Sequence, residues 1–362
     1  MIPAIALRRI SVVILVLLTL AHFGLAQGAA SPAAEKPVSK VTYLLVGRLF
    51  DATGDNVREN MVIAVEDERI KSVASAADLK IPPGANVIDL SQQTVLPGLI
   101  DCHTHLGSRA DRYYEIYDFK STPFDHAFSG VVNARKTLEA GFTSVRDVGS
   151  EPFLAVDLRN SINEGYLVGP RIVASGPGIS ITGGHGDLNN YSPQTRVMMF
   201  PEERDFGIAD SADQIRHVIR AQEKYGVDVI KILATGGVLS RGDSPGAAQF
   251  TFRKAFQAGV KMAFGTDAGV YPHGDNAKQF FYMVKFGMTP SQAIRAATAN
   301  AADLIGRSKD VGTIEAGKYA DIIAVGADPM SDVRALEHVD FVMKGGVVYK
   351  DTRSSAVHAG TN

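Results

Sequence analysis

Three stretches of the 362-residue chain share one pattern: helix-forming residues, a glycine, and then a short apolar run that ends in small or polar residues. They are ARKTLEAGFTSVRDVG (134–149), RAQEKYGVDVIKILATGG (220–237) and RKAFQAGVKMAFGTDAG (253–269). Glycine at a helix end supplies a left-handed cap, and the run that follows has the length of a buried parallel strand. Runs at 94–105 and 170–176 are also typical of such strands. The pattern predicts an α/β fold of stacked βα units, with a parallel sheet or barrel inside its helices.

Two β-rich segments flank this core. Residues 41–96 and 311–351 alternate short strands with turn residues, and Gly345-Gly346 is typical of a hairpin turn. Neither segment has enough strands to bury a face alone. We therefore expect the two to pair into one composite β-sandwich around the core, which spans residues 97–310.

The amino-terminal residues differ in composition from the rest of the chain. Two arginines precede an apolar run from Ile10 to Leu20, and small residues follow. This order predicts a secretory signal peptide, residues 1–26, that is cleaved. The alternative is an uncleaved anchor helix, but the run is shorter than the roughly 20 residues of a membrane span. Residues 27–40 are then predicted to form a flexible lead-in, and we expect an exported protein, periplasmic or secreted.

Composition excludes several classes of protein and partner. Lysine and arginine number 37 against 39 for aspartate and glutamate, which gives a net charge of -2. This balance gives no support to nucleic-acid binding, and no basic amphipathic stretch indicates a membrane surface. The single cysteine, Cys102, cannot form an internal disulfide. We therefore expect a small-molecule substrate, with neither a nucleic-acid partner nor a stable membrane span.

The sharpest local signal is the sequence Asp-Cys-His-Thr-His at positions 101–105, at the end of a predicted strand. Residues two apart on a strand point to the same side, so His103 and His105 can reach one ion. Histidine is the commonest ligand of zinc-like metals. Two histidines with this spacing can also be ordinary surface or core residues that bind no metal. Its position favours a metal site, because parallel α/β folds place their active sites at the carboxyl ends of strands.

Two other predicted strands end in charged residues. Lys231 lies within the apolar run VIKILATGG, and Asp267 lies within AFGTDAG. A lysine in an apolar strand is costly to bury unless it is paired, neutralised or modified. The alternatives are a lysine that reaches solvent at the barrel rim and an aspartate that serves a turn or a helix cap. We treat both as candidate site residues.

These residues and their surroundings resemble those of the metal-dependent amidohydrolase superfamily. The matching motifs are LPGLIDCHTH (96–105), Lys231, GTDAG (265–269) and the tail GTIEAGKYADIIAV (312–325), in the family's order. The members that the chain resembles most are imidazolonepropionase-like and Xaa-Pro or Xaa-Arg dipeptidase-like. The resemblance implies a TIM-barrel-type (β/α)8 core with a composite β-sandwich, and hydrolysis of amide or dipeptide-like C–N bonds by metal-activated water.

The same resemblance assigns roles to individual residues. His103, His105 and Asp267 would be ligands of a divalent metal, zinc in particular, and Lys231 would be a carboxylated ligand that bridges two ions. Asp267 would also be the general base for the attacking water. A bound metal lowers the pKa of water and polarises the scissile carbonyl. His185 and His273 are candidate substrate contacts. The alternative for each is an ordinary histidine in a loop.

The chain departs from the family in its length between strands four and eight. A (β/α)8 barrel uses about 250 residues, or about 31 for each βα unit, whereas the interval from Lys231 to Asp267 is about 36 residues. That interval holds one unit instead of four, so the segment carrying strands five to seven is missing. In the family this segment supplies two further histidine ligands, and no residue here matches them. We expect an incomplete core of about five parallel strands, with exposed edges that favour self-association.

Loss of the two histidines leaves a second ion with only a carboxylated lysine and water, and such an ion is bound weakly. We expect one tightly bound ion at most, and very low or absent hydrolysis.

Two other functions stay open at this point. The chain can be a non-catalytic remnant that acts as a binding or structural protein, or an exported solute-binding protein, which is also α/β and neutral. The latter explains neither the paired histidines nor the lysine and aspartate at strand ends.

Overall fold

The computed structural model describes residues 40–112, 120–149, 153–187, 192, 194, 207–236 and 252–353. The predicted signal peptide, residues 1–26, and the lead-in as far as residue 39 lie outside the described residues. Within the described ranges, no helix is both long enough and apolar enough to cross a membrane.

Ten strands in two sheets organise these ranges. They are β1 (Val41–Leu49), β2 (Arg58–Glu66), β3 (Arg69–Ser75), β4 (Asn86–Pro97), β5 (Leu99–Thr104), β6 (Phe142–Asp147), β7 (Arg171–Ala174), β8 (Ile322–Val325), β9 (Val339–Lys344) and β10 (Val347–Asp351). The larger sheet has the order β10-β9-β8-β4-β1-β2-β3, so β8 joins the carboxyl-terminal strands to β4. All its neighbours are antiparallel except β1 and β4. Both β-rich flanks therefore contribute to one sheet, while the composite sandwich and the domain boundaries stay predictions.

The carboxyl-terminal strands show why these residues form a sheet. All four residues of β8 are apolar and fully buried, because the strand lies between β4 and β9. Between β9 and β10, Gly345 and Gly346 have φ values of 54° and 73°. A type I′ hairpin turn requires positive φ at both central residues, which glycine adopts without strain. The predicted hairpin turn at these two glycines is confirmed.

The smaller sheet is parallel and contains β5, β6 and β7 in that order. Two further segments continue it on either side. Ala268 pairs with Thr104 in parallel at the β5 edge, and Val229 pairs with Ser175 just beyond the end of β7. The described residues thus contain five adjacent parallel segments, in the order expected for strands eight, one, two, three and four of the predicted core.

The last of these segments has an exposed apolar residue. Ile232 belongs to the apolar run of a predicted barrel strand, yet 64% of its surface is accessible to solvent. In a closed barrel such a side chain would be covered by the barrel interior or by the surrounding helices. The incomplete barrel stays a prediction, because residues 237–251, which continue the chain from this segment, lie outside the described residues.

Seven α-helices complete the described ranges. They are α1 (Pro123–Glu139), α2 (Leu154–Asn163), α3 (Ala212–Lys224), α4 (Phe252–Gln257), α5 (Lys278–Lys285), α6 (Pro290–Ala296) and α7 (Ala299–Leu304). Glycines follow α1, α3 and α4 with positive φ: 97° at Gly141, 86° at Gly226 and 79° at Gly259. This is the left-handed conformation that a glycine helix cap requires. The predicted helix followed by a glycine cap is therefore confirmed at all three places. The predicted buried strand follows only the first, as β6. Residues 227–236 and 260–268 form isolated parallel bridges instead of strands, and residues 227–236 are partly or fully exposed, so the buried strands predicted there are wrong.

One buried cluster joins the two sheets. The rings of Phe142 and Phe264 have centroids 5.5 Å apart, and those of Phe264 and Phe280 are 4.5 Å apart. The same cluster includes Leu99 of β5 and Ile323 of β8. Full burial of a large apolar side chain contributes about 1.5–3 kcal/mol. The cluster therefore fixes the position of β5 relative to the segment that follows Phe264. These two elements carry the candidate site.

Candidate metal centre

Three side chains converge at the carboxyl end of β5. Asp267 Oδ1 lies 3.0 Å from His105 Nε2 and 3.3 Å from His103 Nε2. The potential ligand atoms of all three residues lie within 4.8 Å of one another. Ligand atoms bound to tetrahedral zinc at 2.0–2.1 Å are about 3.3 Å apart. The two separations from Asp267 are close to this value, and all three residues are within reach of one zinc-type ion.

Backbone pairing between β5 and the segment beside it sets this convergence. The Asp267 N–H donates to the His103 carbonyl at 2.8 Å, and the His105 N–H donates to the Ala268 carbonyl at 2.8 Å. Asp267 has φ 63°, in the left-handed region that aspartate tolerates better than most residues. A Cβ at Gly269 would lie 2.8 Å from the His105 Cβ, so only glycine fits beside this ligand.

A second hydrogen bond orients the ring of His105. Its Nδ1 lies 2.5 Å from the carbonyl oxygen of Gly149, which follows β6. A carbonyl can only accept a hydrogen bond, so Nδ1 carries the proton and donates. Such an outer hydrogen bond is the usual support of a metal-binding histidine. It leaves His105 Nε2 facing Asp267.

The charges of His105 and Asp267 are coupled. Burial alone would lower the pKa of His105, but the hydrogen bond to Asp267 and the nearby Asp147 raise it above its ordinary value. The same hydrogen bond from His105 holds the pKa of Asp267 below its ordinary value. Asp267 is therefore a carboxylate at neutral pH. Because a proton and a metal ion compete for these two groups, acid should weaken metal binding.

Lys231 approaches from the segment beyond β7. Its Nζ lies 3.4 Å from His103 Nε2. Burial, assisted by the positive charge of Lys231, lowers the pKa of His103 to about 4, so this imidazole is neutral and can bind a metal through its lone pair. Burial also lowers the pKa of Lys231, against the attraction of Asp267. The neutral amine is the form that takes up carbon dioxide, so the environment fits a carboxylated lysine. The structure brings all four sequence-predicted metal residues together.

A buried carboxylate to which sequence reasoning assigned no role ties the ligand segments together. Asp101 is fully buried. Its Oδ1 accepts hydrogen bonds from the backbone N–H groups of His103 and Thr266, both at 3.1 Å. Its Oδ2 accepts from the Thr266 hydroxyl at 2.5 Å and from Asn276 Nδ2 at 2.8 Å. Asp101 thus holds the backbone at His103 and immediately before Asp267.

The two candidate substrate contacts lie in different surroundings. His273 is only 7% exposed; its Nε2 lies 3.1 Å from the His105 carbonyl oxygen and its Nδ1 lies 3.3 Å from the Thr137 hydroxyl. Both of its ring nitrogens therefore contact the fold, and it supports the backbone at His105. His185 is exposed in the loop formed by residues 181–187. Among the described residues, the metal-binding cluster includes neither histidine, and their contact with substrate stays a prediction.

The burial of His273 predicts a specific acid sensitivity. Burial lowers its pKa to about 4 in the folded protein, whereas histidine in an unfolded chain titrates near about 6.5. The unfolded state binds the proton first, so stability falls as the pH drops from about 6.5 to about 4, by at most about 3 kcal/mol. In His273→Gln this contribution is absent, and urea denaturation should show a flatter dependence of the unfolding free energy on pH. His217→Gln, an exposed change on α3, should keep the wild-type dependence. An unchanged slope in His273→Gln would contradict the prediction.

Comparison with known proteins places this chain in a family. The profile of the Amidohydrolase family matches residues 94–253 and 249–349. Ochratoxinase of Aspergillus niger is 28% identical over 432 aligned positions, which cover 86% of this chain and 87% of the ochratoxinase. Imidazolonepropionase of Geobacillus kaustophilus is 24% identical over 418 positions, which cover 90% and 95% of the two chains. The crystal structure of a Xaa-Pro dipeptidase with bound methionine in its active site matches with a TM-score of 0.79 and 30% identity, covering 86% of this chain and all of the dipeptidase.

The chain therefore belongs to the amidohydrolase family and has the α/β fold of its metal-dependent hydrolases. Its relatives support hydrolysis of carbon–nitrogen bonds as the general class of reaction. The alignments with the ochratoxinase and the imidazolonepropionase are both longer than the chain itself, which has 362 residues. Positions of those relatives therefore lack a counterpart here. The family profile also matches in two blocks that meet at residues 249–253, as a segment missing at that point would produce.

Proposed function

We propose that this protein is a metal-dependent hydrolase of amide or dipeptide-like C–N bonds with one tightly bound divalent ion, zinc in particular. His103, His105 and Asp267 would hold the ion, and a carboxylated Lys231 would supply a fourth ligand. The observation that carries the proposal is the convergence of the three ligand side chains within 4.8 Å. They meet at the carboxyl ends of adjacent parallel segments, where folds of this kind place their active sites.

The described residues suit distinct tasks in such a reaction. A zinc-type ion, when bound, lowers the pKa of water and polarises a carbonyl oxygen. The Gly149 carbonyl orients His105, and Asp101 holds the backbone on both sides of the cluster. The Asp267 side chain is 49% exposed and ionised at neutral pH, so it can accept the proton of an attacking water. Asp267 would therefore serve as ligand and as general base.

The accessibility of the cluster and the relatives together support a small substrate. The side chains of His103, His105 and Asp267 are all partly exposed, so a small molecule can approach them from solvent. The similar Xaa-Pro dipeptidase and imidazolonepropionase support an amide or dipeptide-like C–N bond. We expect slow turnover, because this chain has no match for the two histidines that would complete a second metal position.

A non-catalytic function is the second candidate. It is favoured by the exposure of the apolar Ile232 and by the interval of about 36 residues between Lys231 and Asp267, where an eight-unit barrel needs four units of about 31 residues. A site that lies at an open edge admits water and lets the reacting groups shift, and both effects slow the chemical step. In this case the cluster would serve binding or structural stability.

Metal analysis combined with an activity screen tests the proposal. Mass spectrometry of the purified protein should find about one divalent ion for each chain, and His103→Ala should lose it, whereas the exposed control His217→Ala should keep it. Turnover of a dipeptide or simple amide that disappears in His103→Ala would support the hydrolase. One ion with no turnover of any amide would favour the non-catalytic function. Wild-type protein that binds no divalent ion would contradict the proposed metal centre, and two tightly bound ions would contradict the single-ion site.

Localisation and assembly belong to the proposal as well. Export to the periplasm or medium follows from the predicted signal peptide at residues 1–26, and it stays a prediction. Self-association follows from the predicted incomplete barrel, since its open strand edges would offer unpaired backbone groups to a second chain, and the exposed apolar Ile232 is consistent with it. It also stays a prediction.

A further inference from the structure

A second cavity borders the parallel segments, and its lining includes none of the four candidate metal residues. Its volume is about 1080 Å³, and its walls come from the parallel sheet, the residues after α7 and the β9–β10 hairpin. Arg146 of β6 and Arg171 of β7 both line the cavity, together with Ile162 of α2 and Ile172 of β7.

The lining is rich in cations. Five basic side chains border the cavity: Arg146, Arg159, Arg171, Arg307 and Lys344. Three of them have carboxylate partners. These ion pairs are Arg159 with Asp228 at 2.6 Å, Arg307 with Asp310 at 3.0 Å, and Arg171 with Asp321. The other two basic residues therefore decide the net charge that the cavity presents to a ligand.

Among the residues that the structure describes, Arg146 and Lys344 donate hydrogen bonds to carbonyl groups, and Lys344 Nζ also lies 5.6 Å from the centre of the Tyr349 ring. Arg146 Nε donates to the Cys102 carbonyl at 2.8 Å, and Lys344 Nζ donates to the Gly169 carbonyl at 2.5 Å. Neither forms an ion pair with a described carboxylate. Glu68 borders the cavity too, but it is exposed at the rim and pairs with neither cation. Burial, with a smaller contribution from the charge of Arg171 and against the attraction of Asp321, lowers the pKa of Lys344 to about 8.

We propose that this cavity binds an organic oxyanion, with Arg146 and Lys344 as its charged contacts. With Nε bonded to a carbonyl, the remaining N–H groups of the Arg146 guanidinium can form a bidentate pair with a carboxylate or phosphate group. The cavity is open to solvent, and its volume leaves room for an organic ligand larger than a phosphate ion. The ligand class is therefore a small molecule that carries a carboxylate or a phosphate group.

Isothermal titration calorimetry of the metal-free full-length protein tests this site independently of hydrolysis. The probes are citrate and inorganic phosphate, each titrated at constant ionic strength with chloride as the reference anion. We expect saturable binding of at least one probe, weaker by about tenfold or more in Arg146→Gln, because a charge-assisted hydrogen bond contributes about 1.5–3 kcal/mol. Lys344→Gln should also weaken binding. The probe that binds more tightly distinguishes a carboxylate site from a phosphate site.

Arg135→Gln is the matched control for lost positive charge. Arg135 is exposed on α1, where its only ion pair in the described residues is with Glu139, and its replacement should leave the affinity unchanged. Circular dichroism will show whether Arg146→Gln folds, and Lys344→Gln tests the site from a different strand if it does not. Lack of saturable binding of either probe would overturn the proposal. Equal affinity in wild type, Arg146→Gln and Lys344→Gln would overturn it as well. Because no metal ion or turnover is involved, either result leaves the proposed hydrolase function untouched.

Discussion

Deletion of residues 307–362 is expected to abolish cooperative folding of the described unit, including the amino-terminal strands β1–β4. The deletion removes β8, which pairs with β4 and is buried along its whole length. It also removes Ile323 from the cluster that contains Phe142, and the hydrogen bond from the Ile314 N–H to the Asp51 carbonyl at 3.1 Å. Each large buried side chain contributes about 1.5–3 kcal/mol, so the loss exceeds the roughly 5–15 kcal/mol that stabilise a typical domain.

Hydrogen exchange followed by mass spectrometry measures this effect strand by strand. Amides of β1, β2 and β4 should be protected in the full chain and should exchange rapidly in the fragment that ends at Gly306. A deletion of residues 354–362 is the control, since it removes none of the described residues and should preserve protection. Retained protection of β1–β4 in the shorter fragment, with a cooperative melting transition, would mean that the amino-terminal strands form a stable unit without the carboxyl-terminal ones.

The features that could be predicted from the sequence depend on local signals. A glycine that ends a helix needs a left-handed conformation wherever the helix lies, so the repeated helix, glycine and apolar run identified Gly141, Gly226 and Gly259 correctly. Likewise, residues two apart on a strand share a face in any sheet, so His103 and His105 could be assigned to one site. These inferences needed no knowledge of which segments become neighbours.

Other features depend on contacts between segments that are distant in the sequence. The hydrogen bonds from His105 Nδ1 to the Gly149 carbonyl and from the Asn276 amide to Asp101 exist only because the fold brings these residues together. Patterns of apolar residues do not specify which buried polar groups become partners. His273 illustrates the same limit, because its loop is typical of a substrate contact while its ring is buried against the His105 backbone. The sequence did contain a signal for the role of Asp101, because a charged residue inside a buried strand must find hydrogen-bond partners.

Replacement of Asp101 should therefore affect both stability and metal binding. Asp101→Ala leaves the Thr266 hydroxyl, the Asn276 amide and two backbone N–H groups without their acceptor in a fully buried place. Each unsatisfied buried group costs about 1–3 kcal/mol, so we expect a loss of about 3 kcal/mol or more in unfolding free energy. Guanidinium denaturation monitored by circular dichroism measures this loss.

The metal affinity separates a positioning role of Asp101 from a merely structural one. Asp101 accepts the N–H groups of His103 and Thr266, so its loss frees the backbone at one ligand and next to another, Asp267. Changes in such outer hydrogen bonds typically weaken metal binding by about 10–100-fold. Asp101→Asn keeps one carbonyl oxygen as acceptor and should retain more affinity than Asp101→Ala, both measured by zinc competition under conditions where each variant is folded. Asp303→Asn, which alters an exposed aspartate paired with Lys261, should change neither stability nor affinity. If folded Asp101→Ala bound zinc as tightly as wild type, Asp101 would stabilise the fold without positioning the metal ligands.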